Sequence, residues 1–253
     1  HSTDGTYEWL SHNTSLFVSV ASLQCSESNL GFAGGHNALY LKSLNDSCEY
    51  LFLVNQDLKL KPEYIGELVR IMDENNNVGI CAGLLLGWDG TQIDSAGLRV
   101  HRTRKVDELA AGSKFVRERQ SPSLVFGVSG TLPCIRMSAT KTIAEHNELF
   151  DADFDSYKED VDMAYRLQSA GFDAMIVPSA IASHDRTVGS ATDRSTRSQR
   201  VRRNSYRNHL LMLVKNEYVQ NLMRDFFWIA GYELGKFFYL LFREPATLLG
   251  LLD

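Results

Sequence analysis

Short apolar runs alternate along this chain with segments that have helical signals. Continuous apolar runs occupy residues 50–54, 78–86 and 174–178, and a further short run occupies residues 16–20. Such runs are typical of strands that are buried on both faces of a sheet. Between two of them, Pro62 opens a segment with helical periodicity, since proline is tolerated in the first turn of a helix. The alternation predicts an open α/β sheet.

Composition narrows the class of protein further. The chain has 253 residues, of which 44% are hydrophobic and 23% charged, which is typical of a globular protein and not of a disordered one. This length suits one large domain, or one domain with an appendage. The net charge of −5 argues against a general nucleic-acid binder. The four cysteines lie far apart in the sequence, which favours reduced thiols over disulfides or a zinc site.

Two further segments have a distinctive composition. Residues 87–122 are polar and irregular, and we expect them to form surface loops. Residues 29–37 are rich in glycine and are predicted to form a turn that leads into a helix. Glycine would let the backbone of this turn approach a ligand closely, although a simple tight loop explains the composition equally well.

The sequence Asn55-Gln56-Asp57 directly follows the apolar run at residues 50–54. Ligands of open α/β sheets bind beyond the carboxyl ends of the strands, so Asp57 is well placed to hold a divalent cation. Mg²⁺ and Mn²⁺ prefer carboxylate oxygens and accept water and phosphate oxygens as further ligands. The alternative interpretation is a polar turn at the end of a strand.

Six carboxylates lie within residues 151–162, at the start of a helix predicted to begin near Lys158 and to end at Gly171. Clustered carboxylates raise one another's pKa or require a cation. One of them, from the pair Glu159 and Asp160, could act as a general base toward a substrate hydroxyl. The alternative is an acidic first turn that complements the helix dipole.

Two weaker signals flank these motifs. His184 follows the last apolar run and could complete a metal site with Asp57, although a lone histidine is more often structural. Residues 2–6, Ser-Thr-Asp-Gly-Thr, suit either a helix N-cap or a loop that contacts a nucleotide.

Taken in their order along the chain, these motifs resemble the inverting glycosyltransferases of family 2, and in particular the rhamnosyltransferase-like enzymes of polysaccharide assembly. The resemblance covers residues 2–190 and also includes Gly-Val-Ser-Gly-Thr at 127–131. It implies the GT-A fold, an α/β fold with a Rossmann-like, mostly parallel central sheet flanked by helices, here followed by a C-terminal helical appendage.

The resemblance also implies a metal site. The Asp-x-Asp motif of the family corresponds to Asn55-Gln56-Asp57, where an amide replaces the first acid. By this correspondence, Asp57 and His184 bind Mg²⁺ or Mn²⁺, and the cation neutralises the diphosphate leaving group of a nucleotide-sugar.

Catalytic and donor-binding roles are implied in the same way. Asp160, in the Glu159-Asp160 pair, corresponds to the general base that takes a proton from the acceptor hydroxyl, so that the anomeric carbon is inverted. Asp162 is expected to support loop geometry or acceptor binding. Residues expected to contact the nucleotide-sugar are Asp4, Asn29, Gly34, Asn37, Asn55, Asp57, Ser129 and Gly130.

The resemblance implies a division of the chain. Residues 1–192 correspond to the GT-A domain without its first β-α-β portion, because the family has such a unit before the motif at residues 2–6. We therefore expect the sequence to be cut from a longer product. Residues 193–253 correspond to a basic linker and C-terminal helices.

The C-terminal segment combines arginines at 194–207 with an aromatic stretch at 226–242. Glu233 and Lys236 interrupt that stretch, so it is predicted to be an interfacial helix and not a membrane span. Arginines and aromatic residues suit anionic headgroups, and the acceptor is expected to be a glycan or a polyprenyl-linked glycan at the inner face of the cytoplasmic membrane. The alternatives are an ordinary packing helix and a contact within a homo-oligomer.

Three functions compete at this point. The favoured one is metal-dependent, inverting transfer of a sugar, with rhamnose from dTDP-rhamnose preferred and UDP-sugars next. The second is a catalytically inactive relative that binds sugar-nucleotides or glycans, since fold alone does not establish activity. The third is a scaffold that works at a membrane surface through its C-terminal helix.

Overall fold

The computed structural model describes residues 3–16, 22–45, 47–116, 121–185 and 198–251. The helices are α1 (Thr6–His12), α2 (Gly31–Ser43), α3 (Tyr64–Glu74), α4 (Met137–Ile143), α5 (Glu159–Ser169), α6 (Gln199–Asn216), α7 (Val219–Arg243) and α8 (Pro245–Leu248). The strands are β1 (Tyr50–Phe52), β2 (Leu58–Leu60), β3 (Val78–Gly87), β4 (Ile93–Ser95), β5 (Leu98–Val100), β6 (Val106–Glu108), β7 (Ser123–Val125), β8 (Cys134–Arg136) and β9 (Asp173–His184). Short 3₁₀ turns occupy Thr14–Leu16, Ala152–Phe154 and Leu249–Leu251.

A mixed sheet forms the centre of the fold, with the strand order β1-β8-β3-β9-β2 and with β4 and β7 at its margins. The strands β3 and β9 are parallel over almost their whole length, from Val78 opposite Asp173 to Gly87 opposite His184. The apolar runs that predicted β1, β3 and β9 therefore do form strands. The predicted strand at residues 16–20 lies mostly outside the described residues, and Leu16 ends a 3₁₀ turn.

The expectation of a mostly parallel sheet is wrong for the described residues, where every strand pair except β3 and β9 is antiparallel. The physical reason lies in the connections. Only residues 88–92 join β3 to β4, and a parallel neighbour would need a crossover of a dozen or more residues.

Two segments also differ from the expected loops. Within residues 87–122, β5 and β6 pair as a hairpin in which Leu98 lies opposite Glu108, while β4 joins the main sheet. The glycine-rich segment that was predicted to be a turn lies mostly within α2. Three-residue strands and helical glycines carry weak local signals, and packing against the rest of the domain decides both structures.

Apolar side chains fill both faces of the sheet. On one face, α3 buries Tyr64, Leu68 and Met72 against β3 and β9. The hydroxyl of Tyr64 donates to the carbonyl of Leu132 at 3.0 Å and accepts from the N–H of Gly83 at 2.9 Å. A Cβ at Gly83 would lie 2.2 Å from the carbonyl oxygen of Ala180, so this position of β3 tolerates only glycine.

The C-terminal helices pack against the domain. Met212 of α6 shares an apolar cluster with Leu98, Phe154 and Val161, which places α6 on α5 and on the β5–β6 hairpin. Among the described helices, none combines the length and the hydropathy that crossing a membrane would require.

A buried ion network connects the hairpin to α7. Arg104, in the turn between β5 and β6, donates two hydrogen bonds of 2.6 Å to Glu217 and one of 3.0 Å to Asp225. Arg104 is 6% exposed and Asp225 1% exposed. Because buried carboxylates are costly without a partner, this arginine holds α7 to the hairpin.

We expect Arg104→Ala to lower the free energy of unfolding by about 3–5 kcal/mol, because it leaves Glu217 buried without a cation. Urea denaturation followed by circular dichroism measures the loss. Arg70 is the matched control, since it also bridges two carboxylates but on the exposed surface of α3. Arg70→Ala should lower the free energy of unfolding much less. Equal losses for the two variants would show that burial does not determine how much the Arg104 network stabilises the fold.

Candidate active site

A cavity of about 940 Å³ opens beside the end of β9. Its lining comes from the loop before β2, the segment after β7, the start of α5, the β5–β6 hairpin, and the helices α6 and α7. The predicted site residues that it brings together are Asn55, Asp57, Ser129, Gly130, Glu159, Asp160 and His184. Motifs that are far apart in the sequence therefore meet at one cavity.

His184 lies between two carboxylates. Its Nδ1 is 2.8 Å from Oδ2 of Asp94, and its Nε2 is 3.4 Å from Oδ2 of Asp57. The sheet creates this arrangement, because Leu58, the residue after Asp57, lies opposite His184 across β2 and β9. The buried Asp94 comes from β4, on the other side of β3. In the tautomer with an N–H at Nδ1 directed to Asp94, the Nε2 atom that faces Asp57 carries the lone pair.

These groups fit a divalent cation. Oδ1 of Asp57 is buried and has no hydrogen-bond partner among the described residues, and the lone pair at Nε2 of His184 lies nearby. Asp94 has the position of an outer carboxylate, which would orient His184 if the imidazole bound a metal. In the part of the chain that the structure describes, no group of three or more His, Cys, Asp or Glu side chains is arranged to hold a metal ion. Two protein ligands would thus leave several positions for water or phosphate oxygens.

Glu159 and Asp160 open α5 and lie against the cavity. The Asp160 carboxylate accepts hydrogen bonds from the backbone N–H groups of Val161 at 2.8 Å and Gly130 at 3.2 Å. Burial raises the pKa of both carboxyls, and burial together with the charge of Asp160 raises that of Glu159 to about 8. Oε2 of Glu159 has no hydrogen-bond partner among the described residues. Backbone donors stabilise a carboxylate, so the proton is favoured on Glu159 over Asp160.

The loop before α5 is strained. Asp155, Tyr157 and Lys158 have φ angles of 54°, 74° and 75°, in the left-handed region that non-glycine residues rarely adopt. Strain of this kind persists only where the surroundings hold it in place.

Asn208 of α6 supplies that support. Its Nδ2 donates to the carbonyl oxygens of Phe154 at 2.6 Å, Ser156 at 3.0 Å and Tyr157 at 2.6 Å. Asn208 is fully buried, so water cannot replace these bonds. Sequence reasoning missed Asn208 and Asp94, and neither carries a local signal because their partners are distant in the sequence.

Some predicted residues lie elsewhere. The amide of Asn37 accepts from the backbone N–H of Phe150 at 2.9 Å and donates to its carbonyl at 2.7 Å. The oxygen and the nitrogen of this buried amide thus both bind the backbone of Phe150, and Asn37 is not among the residues that line the cavity. Gly34 lies within α2, where a Cβ would meet Leu30 at 3.2 Å, and it is not part of the cavity lining.

Two other predicted contacts also lie outside the main cavity. The exposed Asp4 carboxylate accepts from the N–H and hydroxyl of Thr6, the first residue of α1, whose N-cap is Gly5. Asn29 accepts from the N–H of Gly31 at 3.0 Å and lines a smaller neighbouring pocket. Asp162, expected to support geometry or acceptor binding, pairs with Arg166 and accepts from Asn216 within the protein.

A sequence model of the glycosyl transferase family group 2 matches residues 50–249 of this chain. The chain belongs to this family. The matched range includes Asp57, Asp160 and His184, and it continues through α6, α7 and α8. No curated protein matches the chain.

Solved structures share the fold. GalNAc-T7 with UDP, GalNAc and Mn²⁺ aligns with 81% of this chain and 39% of its own, at a TM-score of 0.57 and 12% identity. The mannosyltransferase PcManGT from Pyrobaculum calidifontis, in complex with GDP-Man and Mn²⁺, aligns with 99% of this chain and 61% of its own, at a TM-score of 0.54 and 13% identity. The predicted GT-A fold is thereby confirmed, and this chain spans less than two thirds of the length of either protein.

The proton on Glu159 makes stability depend on pH. Its pKa rises from an ordinary 4.5 to about 8 on folding, so this group contributes stability below about pH 4.5 and loses it as the pH rises through 8. Thermal denaturation should therefore show Glu159→Gln gaining stability over the native chain between about pH 5 and 9.

The exposed Glu145 provides the control for this measurement. Glu145→Gln should follow the native chain across the same range. A constant difference between Glu159→Gln and the native chain would contradict the placement of the proton on Glu159.

Proposed function

We propose that this chain is the catalytic region of a metal-dependent, inverting glycosyltransferase. It would transfer a sugar from a nucleotide-sugar to a hydroxyl of a glycan or of a lipid-linked glycan. The observation that carries the proposal is the convergence of Asp57, His184 and Asp160 on one cavity. The UDP and GDP-Man in the two similar structures support a nucleotide-sugar donor.

Asp57 and His184 are the residues that would hold Mg²⁺ or Mn²⁺, with Asp94 fixing the imidazole. When bound, such a cation neutralises the negative charge that develops on a diphosphate leaving group. Asn55, Ser129 and Gly130 line the same cavity and would bind the donor beside it.

Asp160 would act as the general base. The acceptor hydroxyl gives its proton to this carboxylate while its oxygen forms a bond to the anomeric carbon. The bond from that carbon to the diphosphate breaks, and the electron pair leaves with the diphosphate. A protonated Glu159 is a poor nucleophile, so one ionised carboxylate in this position suits a single displacement with inversion.

The donor is proposed from the resemblance of the motifs. Rhamnose from dTDP-rhamnose is preferred, and a UDP-sugar comes next. A catalytically inactive binding protein of the same fold is the competing function, favoured by the amide of Asn55 at the position of the first metal-motif acid.

Two substitutions separate binding from chemistry. Asp57→Ala should abolish the Mn²⁺-dependent binding of dTDP or UDP, measured by calorimetry. Asp160→Asn should keep this binding but reduce sugar transfer by about 10²–10⁴-fold, the usual contribution of a general base. In the product of the native enzyme, NMR should show the anomeric configuration opposite to that of the donor.

The control is Asp89→Asn, an exposed residue that is not part of the cavity lining, which should leave both properties unchanged. Normal transfer by both site variants would refute the transferase. Donor binding without any turnover in the full-length gene product would support the inactive relative.

We also propose that α7 contacts the surface of a membrane, at the inner face of the cytoplasmic membrane. Asp225, Ile229 and Leu240 form its buried stripe, and most of its remaining surface is exposed and apolar. Exposed apolar residues of α7 include Leu222, Met223, Phe226, Phe227, Trp228, Leu234, Phe237, Phe238, Tyr239, Leu241 and Phe242. Such a helix lies in the interface when its apolar side chains enter the boundary of the headgroups.

Three of the described arginines have partners within the protein. Arg200 pairs with Asp155, Arg203 donates to the carbonyl of Ala246, and Arg207 donates to that of Asp153. Arg194 and Arg197 lie outside the described residues. The aromatic face of α7 therefore carries this part of the proposal.

Flotation with vesicles of phosphatidylcholine and phosphatidylglycerol tests the membrane contact. The double variant Phe227→Glu/Phe242→Glu changes two side chains that are 87% and 76% exposed. Losing their insertion should reduce vesicle binding at least tenfold, since a buried Phe is worth about 1.5–3 kcal/mol.

Ile65→Glu on α3, where the side chain is 50% exposed, is the control and should leave vesicle binding unchanged. Sedimentation tests the alternative that a second copy of the chain covers this face of α7. A dimer that the double variant dissociates, together with no vesicle binding, would assign the face to a second copy of the chain.

A further inference from the structure

Two exposed arginines lie at the start of α7, apart from the candidate active site. Arg102 belongs to the turn between β5 and β6, and Arg224 belongs to the second turn of α7. Their side chains are 62% and 65% exposed, and neither lines the cavity. Met223 and Phe227 of α7 are close to Arg224 in the sequence and are 76% and 87% exposed. The arginines therefore border the apolar surface that is proposed to contact a membrane.

The carboxylate of Asp225 orders both guanidinium groups. Its Oδ1 accepts from Nε and Nη2 of Arg102 at 3.0 and 2.9 Å, and its Oδ2 accepts from Nε and Nη2 of Arg224 at 3.2 and 2.8 Å. Asp225 is buried, so the fold fixes its position. A guanidinium has five N–H donors, and each of the two arginines keeps three that have no acceptor among the described residues.

This cluster carries more positive than negative charge. Glu217 matches Arg104, which donates two hydrogen bonds to it. The carboxylate of Asp225 then faces both Arg102 and Arg224, so one positive charge remains uncompensated on two exposed side chains. The whole chain has a net charge of −5. An anionic surface would therefore repel most of the protein and attract this cluster.

Trp228 lies beside both arginines. The Cζ atom of Arg102 is 5.5 Å from the centre of the Trp228 ring, within the range of a cation–π interaction. Arg224 precedes Trp228 by four residues on α7, and this spacing makes two helical side chains neighbours. Trp228 is 56% exposed, and tryptophan is enriched where lipid meets water. An indole at that boundary would place both guanidinium groups at the level of the lipid phosphates.

We propose that Arg102 and Arg224 form a binding site for the phosphate group of an anionic phospholipid, with Trp228 as its interfacial anchor. This inference rests on the proposed membrane contact of α7 and adds to it the charge of the lipid that the protein selects. Guanidinium groups match the geometry of phosphate oxygens and bind them more strongly than neutral donors do. The apolar side chains of α7 would bind any bilayer, and the two arginines would confer the preference for an anionic one.

Flotation with vesicles of phosphatidylcholine, with and without phosphatidylglycerol, tests this preference. The native chain should bind the anionic vesicles at least fivefold more tightly than the neutral ones, since one basic residue near an anionic surface contributes about fivefold. The double variant Arg102→Gln/Arg224→Gln should lose this preference and should bind neutral vesicles as the native chain does. High salt should also reduce the preference of the native chain, because it screens exposed charges.

Arg70→Gln is the matched control. Arg70 is also an exposed arginine that pairs with carboxylates, but it lies on α3, and its variant should keep the full preference for anionic vesicles. Arg104 still pairs with Asp225 in the double variant, so the buried carboxylate keeps a cation. Circular dichroism and the unchanged binding to neutral vesicles establish that the double variant is folded.

Three results would overturn the phosphate site. They are equal binding of the native chain to both kinds of vesicle, a preference that the double variant keeps, and arginine-dependent binding of free glycerol phosphate in calorimetry, which would assign the two side chains to a soluble ligand. Failure of the proposed membrane contact has a different signature. In that case the native chain binds neither kind of vesicle, whereas failure of the phosphate site alone leaves a binding to both that Phe227→Glu/Phe242→Glu still weakens.

Discussion

The parallel pairing of β3 with β9 determines where the candidate site forms. This register places His184 opposite Gly87 on one side, and the pairing of β9 with β2 places it opposite Leu58 on the other. Asp57 precedes Leu58, so it reaches His184. A shift of one residue would turn the imidazole to the other face of the sheet and separate it from Asp57. The polar site thus depends on the packing of apolar strands.

The helix α6 connects the remaining parts of the cavity. Asn208 holds the strained loop before α5, and its neighbour His209 lines the wall shared with α7. Arg104 then holds α7 against the β5–β6 hairpin. The start of α5, the β5–β6 hairpin and the helices α6 and α7 are consequently packed together. The C-terminal helices, which were expected to be an appendage, form one wall of the cavity.

Much of this was predictable from local patterns. The apolar runs at residues 50–54 and 78–86 form strands, and the helix expected near Lys158 begins at Glu159. Asp57 and Asp160 could be singled out because each follows or opens a recognisable element. Asn37 could not be judged in this way, since its amide binds Phe150, a residue 113 positions away.

The sequence by itself determined the alternation of strands and helices and the presence of an acid after a buried strand, because periodicity and strand ends are local properties. Only the tertiary structure decided that Asp94 contacts His184, that Asn208 supports the loop, and that burial raises the pKa of Glu159 while backbone donors stabilise the carboxylate of Asp160. Each of these depends on burial and on hydrogen-bond partners from distant parts of the chain. Desolvation is set by everything that packs around a group, so no local pattern can specify it.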